Sequence, residues 1–384
     1  MRILFVCENY LPHYGGVEVV FKNLAEKFVE EKNTVSLITH QLRGTQKKEN
    51  IGGVDVNRIP SFHSRYVFTF SAIPSVFRFS KNTDIIQTTT FNGAFPAWLC
   101  AKLRRKPIVL TVHEVWQGKW KKITGFSRFK SYIHECLEKL IYILPFDHYV
   151  CVSDATKEDL LKIGIPHQKA TTIHNGFDYH FWNPKEFSVS DREKIRKKLD
   201  FEKKYIYFSW GRPGPSKGFS TLLKAVPLIQ ERIPSALCVL MLSNVEMHEK
   251  TKKELFALIK KMKLEDKVRI VESLPYDQLK EYLVASDLVV IPSLSEGFGY
   301  TTLEAVAMEK PVVVSNIGSL PEVVSGKYQL FAAGDSNNLA EKVVKVSHNE
   351  TMTKPLKHFL WKNSVNKYLT LYKELISKRK EASK

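Results

Sequence analysis

The stretch IPSLSEGFGYTTLEAVA, residues 291–307, contains two glutamates on either side of a turn that is rich in glycine. It follows an apolar run that is typical of a buried strand, and it ends in a helical pattern. Glu296 lies in the turn, and Glu304 lies eight positions later, inside the predicted helix. A strand, a glycine turn and a helix in this order predict an α/β fold with a ligand site at the end of the strand.

The turn before the predicted helix has the features of an anion site. Glycine allows the backbone to approach a ligand closely, and the first amides of a helix carry a partial positive charge. Glu304 is placed to accept the hydroxyls of a ribose, whereas Glu296 is placed to reach sugar hydroxyls. An acidic helix start that the helix dipole favours is the alternative interpretation. The candidate ligand-binding residues of this stretch are Glu296, Gly297, Phe298, Gly299, Tyr300 and Glu304.

Short apolar runs alternate with helical patterns in two successive series. Runs of this length suit strands that are buried on both faces of a parallel sheet. Two such series predict two doubly wound, Rossmann-like α/β domains, whose ligands bind outside the carboxyl ends of the strands in a cleft between facing sheets. The predicted strands are 2–7, 35–40, 84–89, 107–112, 148–153 and 170–176, then 205–211, 236–242, 268–273, 288–293 and 311–316.

A polar and charged segment at 177–204 separates the two series and is predicted to form a linker and a solvated helix. The resulting boundaries are a first domain over 1–177, a second domain over 178–354 and a basic helical tail over 355–384. A chain of 384 residues has the length of two ordinary domains, which agrees with this division.

A second candidate anion site follows the first strand of the second series. The sequence SWGRPGPSKGFSTLLKA, residues 209–225, places Arg212 and Lys217 in a loop that is rich in glycine and proline. Arginine can donate to two phosphate oxygens at once, and lysine adds a compact positive charge. The loop does not have a Walker pattern, and a turn with two exposed cations is the alternative interpretation.

The first domain has weaker signals of a ligand site. Gly15 and Gly16 come just before an amphipathic helix, where a ligand would meet the first helix amides. His113 follows the predicted strand 107–112, at the edge of the sheet where ligands bind. The glycine pair lacks the full GxGxxG pattern, and a histidine at this place also suits a structural hydrogen bond.

Composition limits the class of protein. Hydrophobic residues make up 43% and charged residues 26% of the chain, which is typical of a globular protein, and the net charge of +18 favours an anionic partner. The five cysteines lie far apart without a CxxC pair, which predicts a reducing compartment. No stretch reaches the ~20 apolar residues that a spanning helix needs. We therefore expect a cytoplasmic protein, or one that lies on a membrane without crossing it.

Residues 102–130 form a basic strip in which Lys and Arg far outnumber the single acid, Glu114. Cations with interleaved aromatic residues suit an anionic membrane surface or a lipid diphosphate. A solvated pair of helices is the alternative, and no nucleic-acid-binding module is recognisable. The apolar stretch 66–79 suits either a core helix or an extension of this surface. The aromatic residues of the strip are Trp116, Trp120, Phe126 and Phe129.

Taken together, these sequences resemble the family-4 retaining glycosyltransferases (glycosyl transferases group 1) over nearly the whole chain. SEGFGYTTLEA is similar to the E-x7-E signature of that family, and GRPGPSKG is similar to its G-R-x4-K-G loop. YGGVE, TVHE, CVSDATKEDL and IHNGFDYHFWNP resemble its other motifs, and FLWKNSVNKYLTLYKEL resembles its closing helix. The resemblance implies a GT-B fold in which the C-terminal helix returns to the first domain.

The resemblance also implies an activity, which is retaining transfer of a hexosyl unit from a nucleoside-diphosphate sugar to a hydroxyl of a glycan or lipid-linked acceptor. No protein nucleophile is implied. The sequence contains no D-x-D motif, so we expect no metal and no cofactor, and the two cations would replace the metal on the diphosphate. The implied catalytic residues are His113, Arg212, Lys217 and Glu296, and the implied donor-binding residues are Gly15, Gly16, Arg212, Lys217, Glu296, Gly297, Phe298, Gly299, Tyr300 and Glu304.

Two other functions stay open at this point. A sugar-nucleotide epimerase can share the GT-B architecture, and a non-catalytic nucleotide-sugar-binding protein at a membrane surface would need the same donor site. The complete set of two acidic and two basic residues favours transfer. The expected partners are a nucleotide-sugar donor, a glycan or lipid-linked acceptor and an anionic membrane surface at 102–130, without nucleic acid.

Overall fold

The structure of the protein, a computed structural model, describes residues 1–13, 15–62, 64–243 and 248–382. Over this part of the chain it divides into two compact units. The first contains Met1–Gly118, Arg128–Phe177 and the segment from Phe359 onward, and the second contains Lys119–Ser127 and Asp178–His358.

The sequence-based boundaries differ from this division in two segments. Residues 119–127, which the sequence assigns to the first domain, belong to the second unit because their short helix packs against the turn Pro215–Lys217. Residues 355–358, which the sequence assigns to the tail, also belong to the second unit. The last two residues of the predicted tail, Ser383 and Lys384, lie outside the described residues.

The sheet of the first unit has eight strands in the described residues: β1 (Arg2–Val6), β2 (Thr34–His40), β3 (Lys48–Ile51), β4 (Val54–Ile59), β5 (Ile85–Thr89), β6 (Ile108–Val112), β7 (His148–Cys151) and β8 (Ala170–Thr172). Their order is β3-β4-β2-β1-β5-β6-β7-β8. All neighbours are parallel except β3 and β4, which form an antiparallel hairpin at one edge. The structure confirms the predicted apolar strands, whereas the sequence analysis does not predict the hairpin.

Helices cover both faces of this sheet, as its buried central strands require. Two of them are discussed below: the first helix, which follows β1, and a long helix that begins at Arg128. The helices of the first unit are α1 (Gly16–Glu30), α2 (Arg65–Ser71), α3 (Ile73–Ser80), α4 (Ala94–Leu103), α6 (Arg128–Ile143), α7 (Asp154–Lys162) and α15 (Trp361–Glu381).

The sheet of the second unit has seven strands in the part of the chain that is described: β9 (Tyr205–Gly211), β10 (Ala236–Leu242), β11 (Val268–Glu272), β12 (Leu288–Ile291), β13 (Val312–Ser315), β14 (Gly326–Phe331) and β15 (Met352–Lys354). Their order is β11-β10-β9-β12-β13-β14-β15, and only the β14–β15 pair is antiparallel. The helices of this unit are α5 (Trp120–Thr124), α8 (Val189–Lys198), α9 (Phe219–Arg232), α10 (Glu249–Lys261), α11 (Tyr276–Ala285), α12 (Tyr300–Ala307), α13 (Leu320–Val323) and α14 (Ser336–Ser347).

The predicted linker at 177–204 is attached to the second unit. It contains the predicted helix, α8, but that helix is held by a hydrogen-bonded arginine. Arg196 pairs with Asp287 at 3.1 Å and donates to the backbone oxygens of Ala285, Phe201 and Lys204. A guanidinium with this many acceptors fixes its helix to the second unit, while Ile195 is the one buried residue of α8.

The C-terminal helix α15 returns to the first unit, as the resemblance implies. Tyr368 and Tyr372 are buried and pack against Phe28 of α1, with ring centroids 6.2 and 5.7 Å apart. At the other end of the helix, Arg379 pairs with Asp147 at 2.8 Å. Burial of these large rings makes α15 part of the core of this unit rather than an appendage.

We predict that Gly176→Ala destabilises the protein. A Cβ at this position would lie 2.2 Å from the ring of Trp361 and 2.5 Å from its Cα, so the start of α15 would have to move. Overpacking of this kind costs about 1–3 kcal/mol, which should lower the melting temperature measured by circular dichroism. Gly16→Ala is the matched control, because nothing lies within 4 Å of its added Cβ. Equal melting temperatures for the two variants would contradict this account.

Candidate functional site

The two loops that are predicted to bind an anion follow neighbouring strands at the centre of the second sheet. β9 leads into the loop with Arg212 and Lys217, and β12 leads into the loop with Glu296. The strands are parallel neighbours, so both loops emerge at the same edge of the sheet. The direction of winding reverses between them, because β10 lies on the far side of β9 whereas β13 lies beyond β12. Open α/β sheets bind their ligands at such a switch point.

A close backbone contact holds these two loops together. Gly218 has a φ of 66°, in the left-handed region, and a Cβ there would lie 1.9 Å from the backbone oxygen of Pro292. Beside it, the amide of Leu294 donates to the backbone oxygen of Ser216 at 2.6 Å. Only glycine fits at position 218 without a shift of the backbone, and the two loops therefore have a fixed separation.

Lys217 and Glu296 form an ion pair between the two loops. The Nζ of Lys217 lies 2.7 Å from Oε2 of Glu296, and the side chains are only 22% and 15% exposed. The hydroxyl of Ser293 donates to the same carboxylate oxygen at 3.3 Å. Partial burial reduces screening, so this pair holds both groups in place more firmly than a surface pair would. The structure thus joins the basic residue of one predicted motif to the acidic residue of the other.

A turn after β13 also supports Glu296, and the sequence analysis does not identify it. The amide and the hydroxyl of Ser319 both donate to the backbone oxygen of Glu296, each at 3.2 Å. Gly318 has a φ of 52°, and a Cβ there would lie 2.4 Å from the same oxygen. The cluster of Asn316, Gly318 and Ser319 after a predicted strand was the available signal, because such clusters mark loops.

Glu304 is buried in α12 beside a tryptophan that the sequence analysis does not single out. Its Oε2 accepts a hydrogen bond from Nε1 of Trp210 at 3.1 Å. Burial raises the pKa of Glu304 to about 7, although the Trp210 hydrogen bond and the charge of Lys217 both lower it. The Trp210 ring stacks on Phe208, with centroids 5.0 Å apart. Glu304 therefore exchanges a proton near neutral pH, and its ionised form is the stronger acceptor for a hydroxyl.

Helix α12 begins at Tyr300, where the sequence predicts it. Gly299 precedes it with a φ of 88°, which favours glycine, and a Cβ there would lie 2.9 Å from Cδ2 of Leu320. Phe298 is buried and its ring packs edge-on against Tyr300, with centroids 5.3 Å apart. The Phe298 side chain therefore contributes packing that orients the start of the helix. Gly297 is buried in the same loop, after Glu296.

Arg212 differs from Lys217 in its surroundings. It is exposed, and its side chain forms no hydrogen bond or ion pair with any other described residue. His248, which the sequence analysis misses, lies near the same loop, since a Cβ at Gly214 would be 3.1 Å from its Cε1. Burial, and then the charge of Arg212, lower the pKa of His248. The loop therefore presents one exposed cation and one cation that is already paired.

In the first unit, His113 follows β6 as predicted. Its Nε2 is buried and has no hydrogen-bond partner within the described ranges. Burial lowers the pKa of His113 to about 4, against the opposing effect of the Glu18 carboxylate, so the ring is neutral at neutral pH. A buried polar nitrogen without a partner costs free energy that a ligand hydroxyl would recover.

The glycine pair lies at the start of α1. Gly15 precedes the helix in an extended conformation, with a φ of −145°, and Gly16 is its first residue. Glu18, in the first turn of the same helix, is the carboxylate whose charge acts on His113. The structure therefore brings the predicted residues of the first unit to one region of it, and all the other predicted site residues lie in the second unit.

The basic strip 102–130 is divided between the two units. Residues 102–118 and 128–130 belong to the first unit, and 119–127 belong to the second. Trp120 and Ile123 are buried, and a Cβ at Gly125 would lie 3.4 Å from Cγ of Pro215. Trp120 is thus a packing residue rather than an interfacial one. None of the described helices combines the length and the apolar composition of a membrane span.

Comparison with known families identifies the chain. Residues 14–181 match the family model described as Glycosyltransferase Family 4, and residues 191–360 match the one described as Glycosyl transferases group 1. The protein belongs to the group 1 glycosyltransferases. The matched ranges of this glycosyltransferase include both loops at the switch point as well as the segments that contain Gly15 and His113, which confirms the resemblance seen in the sequence.

Known relatives and solved structures agree with the family. An uncharacterized glycosyltransferase of Methanocaldococcus jannaschii is 29% identical over 84% of this chain and 83% of its own length. The GPI3 subunit of phosphatidylinositol N-acetylglucosaminyltransferase of Saccharomyces cerevisiae is 22% identical over 95% of this chain and 79% of its own. The crystal structure of Anabaena HepE in complex with UDP and glucose matches with a TM-score of 0.72 and 19% identity, over 100% of this chain and 98% of that one. This glycosyltransferase therefore has the GT-B fold.

We predict that the stability of this glycosyltransferase depends on the proton of Glu304. The folded state holds the pKa of Glu304 at about 7, above the ordinary value of 4.5 for a glutamate, so the wild type should lose stability as the pH rises between these values. Glu304→Gln removes the charge. Its free energy of unfolding, relative to wild type, should rise by about 3 kcal/mol from about pH 5 to about pH 8. Urea unfolding at several pH values measures this difference.

Glu265→Gln is the matched control, because Glu265 is exposed in the same unit. The difference in free energy of unfolding between Glu265→Gln and the wild type should not change with pH. A pH-independent difference for Glu304→Gln would mean that the buried carboxyl group does not titrate in this range.

Proposed function

We propose that this glycosyltransferase moves a hexosyl unit from a nucleoside-diphosphate sugar to a hydroxyl of a glycan or lipid-linked acceptor, with retention of configuration. The observation that carries the proposal is the Lys217–Glu296 pair at the switch point, with exposed Arg212 in the same loop as Lys217 and buried Glu304 in the helix that follows Glu296. The diphosphate of such a donor needs cations, whereas the hydroxyl groups of its ribose and of its sugar each need a carboxylate acceptor. The UDP and glucose of the Anabaena HepE complex support this donor class.

The diphosphate is the part of the donor that the two cations would bind. Arg212 is exposed and can donate two parallel hydrogen bonds to phosphate oxygens. Lys217 is held by Glu296 before the donor arrives, and a phosphate would compete for the same ammonium group. The first amides of α12 add a partial positive charge. These groups would stabilise the negative charge that develops on the β-phosphate when the sugar leaves.

The two glutamates would bind different hydroxyl groups. Glu304 would accept from the ribose hydroxyls, which favour its ionised form, so donor binding would release a proton near neutral pH. Glu296 would accept from hydroxyls of the donor sugar once Lys217 turns to the phosphate. His113 of the first unit would hydrogen-bond the donor sugar as a neutral ring through its unpartnered nitrogen.

The chemical step of the proposal needs no nucleophile from the protein. The bond between the anomeric carbon and the β-phosphate oxygen breaks, and the acceptor oxygen forms its new bond to the same face of that carbon. The proton of the acceptor hydroxyl passes to the departing phosphate oxygen, which balances the reaction and retains the configuration. Arg212 and Lys217 take the place of a metal on the diphosphate, so neither a metal nor a cofactor belongs to the proposal.

The acceptor class and the location are parts of the same proposal. The yeast relative carries phosphatidylinositol in its name, which supports a lipid-linked acceptor here. A net charge of +18 favours attraction to anionic lipids. We therefore propose a protein of the cytoplasm that binds peripherally to an anionic membrane face.

We predict that loss of either cation impairs transfer more than donor binding. A thermal-shift series with UDP-, GDP- and ADP-sugars first identifies the donor, because a ligand of the native state raises the melting temperature. With that donor, Lys217→Ala and Arg212→Ala should each lower kcat at least about 10²-fold, because each removes charge stabilisation from the transition state. Release of the nucleoside diphosphate measures the rate.

Lys224→Ala is the matched control, because this exposed lysine lies on α9 of the same unit. It should leave kcat unchanged. If both cation variants turned over at the wild-type rate, the phosphate role of this loop would be wrong. Epimerised nucleotide sugar without transfer would instead identify an epimerase.

We also predict that transfer continues in the presence of EDTA. The charge on the departing diphosphate is balanced by Arg212, Lys217 and helix amides, so a chelator should leave the rate largely intact. The measurement is nucleoside diphosphate release after dialysis against the chelator, with and without added Mg²⁺. Complete loss that Mg²⁺ restores would require a metal in the mechanism.

A further inference from the structure

Helix α6 of the first unit has an apolar face that is exposed to solvent. Its exposed large hydrophobic residues are between 39% and 76% accessible, and they recur at the spacing of one helical stripe. The opposite side of the helix is buried through Ser131, Glu138 and Tyr142. The residues of this stripe, which we call the α6 apolar face, are Phe129, Tyr132, Ile133, Leu137, Leu140 and Ile143.

The helix is fixed in this orientation by its buried side. Oε1 of Glu138 accepts a hydrogen bond from the amide of Trp116 at 2.8 Å, and Tyr142 packs in the core of the first unit with Val112 and Val115. The α6 apolar face therefore cannot be turned inward without breaking these contacts. A folded unit that keeps such a stripe outside has a binding surface there.

A second helix extends this surface. The hydroxyl of Tyr66 on α2 lies 3.1 Å from Nε2 of His134 on α6, so the two helices are neighbours. Tyr66, Phe70 and, just before α2, Phe62 are exposed, whereas Phe68 of the same helix is buried. The sequence left two interpretations of the stretch 66–79 open, a core helix or a surface. Each applies to part of it, because Phe68 is buried while Tyr66 and Phe70 are exposed. The aromatic residues of α2 thus widen the exposed apolar area.

Cations border the α6 apolar face along both of its sides. At about 100° per residue, Arg128 and Lys139 fall on one side of the stripe and Lys130 falls on the other. Of the nearby acids, Glu138 is buried and Glu135 lies 3.8 Å from Lys139. An apolar stripe with cations on both sides is the pattern of a helix that lies in the interface of an anionic bilayer.

We propose that the α6 apolar face, with the exposed aromatic residues of α2, inserts into the interface of an anionic lipid bilayer. Arg128, Lys130 and Lys139 then meet lipid phosphates while the apolar side chains reach the acyl boundary. A second copy of the chain fits this face less well, because it would bring the same cations and the same net charge of +18. The inference concerns a surface and does not depend on the assignment of Lys217 or Glu296.

Vesicle flotation of the full chain tests the proposal. Vesicles of phosphatidylcholine and phosphatidylglycerol should carry the wild type at low salt, pure phosphatidylcholine vesicles should carry much less, and high salt should weaken the binding. The double variant Leu140→Gln/Ile143→Gln should lower the partition coefficient at least about tenfold, because it removes two large apolar groups from the face. Val189→Gln is the matched control, since Val189 is 78% exposed on α8 of the second unit.

Both substituted residues are exposed, so the double variant should keep the melting temperature of the wild type. Its melting temperature should also rise as much as that of the wild type with the nucleotide sugar, which separates this proposal from the proposed function. Wild type that does not float at low salt would overturn the inference. So would equal flotation of the double variant, or a wild-type dimer in sedimentation that the double variant dissociates.

Discussion

The candidate site depends on the close approach of two backbone segments, Gly218 after the first loop and Pro292 after β12. A side chain at 218 would overlap the Pro292 oxygen, and this contact sets the distance between neighbouring strand-end loops. Because that distance is fixed, the ammonium group of Lys217 meets the carboxylate of Glu296 at 2.7 Å. Ser319 then holds the backbone of Glu296 from a third loop. Three separate stretches of sequence thus fix one pair of charges.

Burial gives the two glutamates of the site different chemistry. Glu296 has the ammonium group of Lys217 and the hydroxyl of Ser293 as direct partners. Among the described residues, the side chain of Glu304 has the indole of Trp210 as its one direct partner, so burial dominates and raises its pKa to about 7. Hydroxyl groups of a bound ligand would favour the ionised form of Glu304. Under the proposed function, occupation of the site would therefore be coupled to the release of a proton from Glu304 near neutral pH.

The first unit combines a tightly packed side with an exposed apolar one. On one side, α15 buries Tyr368 and Tyr372 against Phe28, which joins the end of the chain to its beginning. On α6, apolar side chains of similar size remain in solvent. Packing alone does not explain this difference. Helix α6 buries Tyr142 on the side that faces the core and leaves Leu140 exposed on the other side, where a partner can bind. The cations that border the exposed face indicate the kind of partner.

The sequence by itself determined the two α/β units, the strands with continuous apolar runs and the loops that carry Arg212, Lys217 and Glu296. These features are local, because the apolar run, the glycine turn and the helix start lie within a few residues of one another. The hairpin of β3 and β4 was missed because β3 has no buried residue and β4 carries the polar residues Asp55, Asn57 and Arg58, so neither is a continuous apolar run. Gly52-Gly53 between them has the φ values of 58° and 83° that mark such a turn. Only the tertiary structure decided that Trp210 and Ser319 support the site, that residues 119–127 join the second unit, and that the stripe on α6 faces solvent. These facts depend on contacts between distant parts of the chain. An amphipathic helix has the same hydrophobic periodicity whether its apolar face packs on a core or on a membrane.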